Sequence, residues 1–363
     1  MTTTKIKFPS QKNPEFFIEL KEIVNHYFDR TKKTRYGNYN MVIKAFVMFA
    51  LYFGPYFLVL SGVIESFVGI FISWIVMGIG MAGMGMSVMH DAAHHAFSKH
   101  HAINDRIADS IYLLGGFPFN WKYQHNTLHH TYTNVTGKDE DIDPGSILRL
   151  SPHEPLLKAH KFQHLYAWFL YALMTVSWVT DKDFAQLKRY KDTGVKASGR
   201  FSYTGLFLIL IAAKLIYYGI FIVVPILFFP VAWYWSIVMF FAMHLTGGFI
   251  LTVVFQTAHV VPSSEYPLPD KDGMMENNWA VHQLMTTSDF APKNKVLSWY
   301  VGGLNYQVEH HLFPNICHVH YGKISKFVKE TAEKYSLPYH VESNFIKAVI
   351  QHGRMLKRLS RLS

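Results

Sequence analysis

Four stretches of this chain are too long and too free of charge to fold in water as ordinary helices. Met41–Gly62 holds one charge, Lys44, and Ser66–Met89 holds none. Tyr203–Phe229 has a single internal charge, Lys214, and Val231–Gln256 again has none. Each is 22 to 27 residues long, enough for the roughly 20 residues that a bilayer-crossing helix needs. Short links at Ser61–Ser66 and near Phe229–Pro230 pair them into two helical hairpins. The expected architecture is an all-α membrane protein with four transmembrane helices, at about 41–62, 66–89, 203–229 and 231–256.

The charges outside these spans set the expected orientation. The formal net charge is +10, which could suit nucleic acid or an anionic membrane surface. The basic residues flank the spans, however, and the two short links carry no Lys or Arg, as the positive-inside rule expects. Nucleic acid is therefore not an expected partner. Residues 1–40 hold eight Lys and Arg and no apolar run, so they read as a cytoplasmic leader and not as a secretion signal. Residues 41–363 read as one membrane domain, with a cytoplasmic helical cap formed by 90–200 and 257–363. A fifth apolar stretch, Leu165–Thr180, would break the even number of crossings. It is expected to lie in the interface plane. One cysteine, Cys317, excludes an internal disulfide framework.

The chain has 21 histidines, and they cluster. His90, His94 and His95 lie in MHDAAHHAF at the end of the second span. His125, His129 and His130 lie in WKYQHNTLHHTYTN, and His310 and His311 in NYQVEHHLFP. Residues four apart share one helix face, so His90 with His94, and His125 with His129, can each grip one metal. An adjacent histidine such as His130 points about 100° away and is placed to reach a second metal. His259, directly after the fourth span, and His282 lie on the same expected face. Asn278 stands four residues before His282. Isolated histidines such as His26, His153, His244 and His340 read as structural or solvated.

So many imidazoles exceed the needs of one metal, which implies two. Imidazole suits Zn, Cu, Fe and Ni. A structural zinc site favours cysteine, which is absent from the clusters. Soluble di-iron bundles use Glu-x-x-His, and no Glu in this chain has a His three positions later. An all-nitrogen pair of irons is the reading left. With O2 and two electrons such a centre could attack an unactivated C–H bond, and a membrane enzyme finds such bonds in lipid chains.

The three boxes, their order and their relation to two hairpins resemble the membrane fatty acid desaturases, over essentially the whole chain from about Tyr39. Gln307-Val-Glu-His-His311 is similar to the third box of front-end members, where Gln replaces the first His. QTAHV (Gln256–Val260), WAVHQLMTT (Trp279–Thr287) and GGLNYQVEHHLFP (Gly302–Pro314) resemble bacterial desaturases of the linoleoyl-CoA type. The resemblance implies an O2-dependent enzyme of a bacterial inner membrane. Such an enzyme introduces a cis double bond into an acyl-CoA or acyl-lipid, between an existing double bond and the carboxyl end. It also implies two irons on His90, His94, His125, His129, His130, His310 and His311. His259, His282 or both would complete the shell, Asn278 holding an iron through water and Gln307 orienting a box histidine. His95 falls one past its box.

Many eukaryotic front-end members carry a fused cytochrome b-type domain with His-Pro-Gly-Gly. That motif is absent here, and the leader is too short for the domain. The expected electron donor is a separate ferredoxin or small cytochrome. A membrane di-iron hydroxylase acting on a fatty acid, alkane, sterol or carotenoid is the alternative reading, since spacing does not separate the two chemistries. A bis-His haem carrier would need facing histidines inside the bilayer, and only His244 lies well inside a span.

Overall fold

The computed structural model describes residues 6–10, 12–197 and 200–362; the first five residues of the leader lie outside the described residues. It has four helices long and apolar enough to cross a membrane: Tyr39–Leu60, Phe67–Ala93, Tyr203–Phe228 and Trp233–His259. Three of them begin at a side-chain cap. Asn38 accepts from Asn40 N, Ser66 from Gly69 N and Ser202 from Gly205 N, satisfying donors that the first turn of a helix leaves free.

The spans pack through small residues on the second one. A Cβ added at Gly80 would lie 2.5 Å from Tyr52 N, and one at Gly78 would lie 2.5 Å from Met243 O. Close backbone approach of this kind suits helices in lipid, where packing replaces the hydrophobic effect between them. Tyr52, Trp74, Phe221 and Met239 fill the core between the spans. Lys214, the one charge inside the third span, is buried against Asp183, with Nζ 2.6 Å from Oδ2, and also donates to the carbonyls of Gly115 and Trp178. The cap thus supplies the carboxylate that a cation at this depth requires.

Leu165–Thr180 does not form a fifth span. It breaks into Gln163–Ala172, Met174–Ser177 and a π-helical turn, Trp178–Lys182. These pieces run beside the fourth span, where Thr252 donates to Tyr171 O and Thr175 to His244 O. Leu165 and Phe169 remain about two-thirds exposed, which leaves an apolar edge along this segment.

The leader is part of the cap. Its helix Pro14–Thr31 buries Phe16, Leu20, Val24, Tyr27 and Phe28, spacings that fall on one helical stripe. That stripe shares a core with Val308 and Leu312 next to the third box, and with Ile324 and Val328 of the helix Tyr321–Lys334. The otherwise helical fold includes one small parallel ladder, β1 (Ser288–Phe290) on β2 (His340–Glu342), in the register Ser288 to His340.

Candidate metal centre

Each box is carried by a helix end. The second span passes through a π-helical turn, Gly85–Met89, before His90–Ala93, so the first box projects from the end of that span as its continuation. Pro118 opens a helix that becomes π-helical over Tyr123–His129 and carries the second box. The third box lies on the short helix Gln307–Leu312, whose Val308 N donates to Asp289 Oδ1 at 3.0 Å. His259 is the last residue of the fourth span.

These ends converge into two groups. The donor atoms of His90, His94, His125 and His310 lie within 4.8 Å of one another, and so do those of His129, His259 and His311. His130 sits between them, its ring 4.6 Å from His94, 4.6 Å from His310 and 4.4 Å from His311. The two imidazole groups divide His125 from His129, although the donor atoms of these two also lie near each other beside Asp141. His125 Nε2 faces His90 Nε2 at 3.0 Å, whereas His129 Nε2 faces His311 Nε2 at 3.2 Å. Over this π-helical turn His130 N bonds to His125 O, five residues apart, and the His125 ring stacks on His129 while meeting His130 edge-on.

The nitrogens turned away from the centre are held by partners outside the boxes. His129 Nδ1 donates to Asp139 at 3.0 Å, and His125 Nδ1 to Asp141 at 3.0 Å. His311 Nδ1 donates to Gln283 Oε1 at 2.8 Å. This fixes the tautomer in which Nε2 of His129 and of His311 each present a lone pair. Two lone pairs facing at 3.2 Å repel unless a cation lies between them. The buried nitrogens of His94 (Nε2), His310 (Nε2), and both nitrogens of His130 and His259 have no hydrogen-bond partner at all. Unpartnered buried polar atoms are costly, and a set of them aimed at two points fits two cations ligated by imidazole.

At most of these imidazoles, His129 excepted, the electrostatics favour ligation. Burial, aided by neighbouring imidazoles, holds the pKa of His94, His130, His310 and His311 well below the ordinary value, so their lone pairs stay free. Burial also lowers His125, against the pull of Asp141. At His129 burial is outweighed by Asp139, and its pKa rises. The Asp141 carboxyl, despite burial, is held below the usual range by His125 and His129.

Three sequence candidates do not reach the centre. His282 Nε2 is engaged by the Thr133 carbonyl at 2.8 Å, and its ring packs on Phe8. The helix Trp279–Thr286 turns the next residue, Gln283, toward His311 instead. Asn278 caps that helix through Oδ1 to Val281 N, and its amide donates to the carbonyls of Lys12 and Asn13, which leaves it committed. His95, at φ +57°, swings out to meet His101. Gln307 is buried, with Oε1 unpartnered. The residues that sequence reasoning missed are Asp139, Asp141 and Gln283. The acidic run Asp139–Asp143, nine residues after His130, was the available signal for the first two.

Asp139→Asn should weaken metal retention about 10–100-fold, the usual effect of losing a carboxylate that orients a ligating imidazole. Competition with a chelator on the purified protein measures it, and unchanged retention would show that Asp139 does not orient His129.

The fatty acid desaturase family model matches residues 65–343. The chain is 32% identical over 364 residues, 99% of its length and 96% of the relative's, to an sn-1 linoleoyl-lipid 6-desaturase of Arthrospira platensis. It is 30% identical over 370 residues, covering both chains completely, to the enzyme of the same description from Synechocystis. An acyl-lipid (8-3)-desaturase of Physcomitrium patens is 31% identical over 359 residues, 98% of this chain and 73% of that protein.

Proposed function

This chain belongs to the fatty acid desaturase family, and from that premise we propose that it holds two irons and uses O2 to introduce a cis double bond into a lipid-linked acyl chain. The observation that carries the metal reading is the pair of imidazole groups, His90, His94, His125 and His310 on one side and His129, His259 and His311 on the other, whose bare nitrogens converge. Bound iron would supply the activation of O2 that breaking an unactivated C–H bond demands. The protein's own residues do the rest. Asp139, Asp141 and Gln283 hold protons on the outward nitrogens, so that the inward ones stay free to ligate. The nearly complete burial of His129, His259 and His311 keeps water from the reacting region, as oxidative chemistry requires.

The lipid linkage and the position of the new bond follow from the relatives' descriptions as 6- and (8-3)-desaturases of acyl lipids. We place the new bond between an existing double bond and the carboxyl end, and Gln307 is the position that distinguishes such a third box. Electrons come from a separate ferredoxin or small cytochrome, whose acidic surface the +10 chain would attract. The boxes and both termini face the cytoplasm of a bacterial inner membrane, since the links between paired spans lack basic residues. Labelling a cysteine placed at the exposed position Ile147, after Cys317→Ser, should succeed only from the inner side; labelling from outside would overturn this orientation.

Expression in a host without polyunsaturated lipids, with defined fatty acids supplied, tests the function. The expected product is a new cis double bond on the carboxyl side of a linoleoyl-type double bond. Hydroxylated products would favour the hydroxylase reading, and desaturation toward the methyl end would remove the regiochemical claim alone. The purified protein should carry about two irons and little zinc, without the Soret band of haem.

A further inference from the structure

Lys44 is the one charge inside the first span, and it lies almost completely buried. Its Nζ donates to His318 Nε2 at 2.5 Å, and its ammonium also lies 5.4 Å from the centre of the Trp299 ring. On the other side of the same imidazole, His318 Nδ1 donates to Asp91 Oδ2 at 2.8 Å, and the His318 backbone N–H reaches the same oxygen at 3.2 Å. Asp91 is buried and directly follows His90. A cation, a neutral imidazole and a carboxylate thus form a line through the interior. Lys44 comes from the first span, His318 from the segment after the third box, and Asp91 from the first box.

We propose that His318 is a positioning residue: bridging Lys44 and Asp91, it clamps the first box to the third and so holds the four-imidazole group in register. That group draws His90 and His94 from the first box, His125 from the second and His310 from the third. Its geometry depends on two chain segments far apart in sequence, and the Lys44–His318–Asp91 line is a polar tie between them that stays outside the imidazole groups. The packing around it is equally close. A Cβ added at Gly303 would lie 2.6 Å from His318 Cβ, so the turn before the third box presses the ring into place.

Asp91, Cys317 and His318 also present three donor atoms near one another, which raises a third metal as the rival. Both nitrogens of His318 are already engaged, one by an ammonium, and a metal ion would have to displace that cation. Charge compensation has a distinctive signature. Removing one charge strands the other in the interior, whereas removing both leaves a neutral, hydrogen-bonded site. The effects of the two changes should therefore be strongly non-additive.

The inference rests on the metal reading of the site, and the test separates the two. Wild-type protein, Lys44→Gln, Asp91→Asn and the double variant are purified, loaded with Fe(II), and followed for iron release to a chelator and for thermal unfolding without metal. Each single variant should release iron at least about 10-fold faster than wild type, and the double variant should return to within about 3-fold of it. Double-variant release as fast as the product of the two single effects, or single variants like wild type, would overturn the clamp. If the single variants do not fold, folding of the double variant is the expected result, and its failure counts against the proposal. A third metal in the wild type that Cys317→Ser removes would replace the clamp with a metal site. Wild-type protein that binds no metal would defeat the reading of the centre itself and not this tie.

Discussion

His129→Ala should abolish desaturation, with turnover falling more than about 100-fold, beyond the loss typical of residues that only orient a ligand. The substitution removes one of three imidazoles in its group. It also strands Asp139, fully buried and otherwise paired only with backbone N–H groups at Asn134 and Asp141. Iron content should drop from about two per chain to about one, because the four-imidazole group keeps its own donors. His153→Ala is the control: its ring meets only the Tyr266 carbonyl at an exposed site, and activity should be retained. Near-normal turnover in His129→Ala would contradict the assignment of the second group.

Gly302→Ala should cost the fold about 2–5 kcal/mol. Gly302 has φ +63°, and an added Cβ would lie 2.3 Å from Ser87 Cα and 2.6 Å from Met86 O. Left-handed backbone costs an alanine about 1–2 kcal/mol, and forcing an atom into a filled interior about 1–3 kcal/mol more. Both contacts are backbone atoms of the π-helical turn Gly85–Met89 that carries the first box, so no flexible side chain can yield. The expected reading is a drop of roughly 5 °C or more in the unfolding temperature of the purified protein, with loss of bound metal. An unchanged unfolding temperature would mean that the turn and the loop before the third box can separate freely.

The spans and the box histidines are legible in the sequence because each leaves a compositional mark. A run such as Ser66–Met89 has no charge over more than 20 residues, and few water-exposed elements do that. The division of ligands was not legible. It depends on which way each second-box imidazole turns in the folded cap, and spacing along the helix does not reveal that. Spacing alone also favoured His282 over Gln283, since it does not reveal which way the helix Trp279–Thr286 is rotated. Asp139 and Asp141 lie beyond the second box on a loop whose return to the imidazoles is set by tertiary folding. The leader was read only as a charged segment, and the stripe of Phe16, Leu20, Val24 and Tyr27 that packs it into the cap was not recognised.

The two imidazole groups are assembled from residues made at very different times. His130 and His310 are separated by 180 residues, which a ribosome adding about 5–20 residues per second covers in roughly 10–40 s. During that interval five histidines of the first two boxes exist without His310 and His311, and for most of it without His259. Once the last histidines arrive and the helix Pro14–Thr31 seals against the third-box helix, a metal bound at the centre would lie behind packed side chains, and its binding free energy would become part of the folding free energy. Withholding iron from growing cells should therefore reduce the amount of folded protein. Adding a chelator after synthesis has stopped should leave that amount nearly unchanged, and equal losses in the two regimes would show that the closed centre exchanges its metal freely.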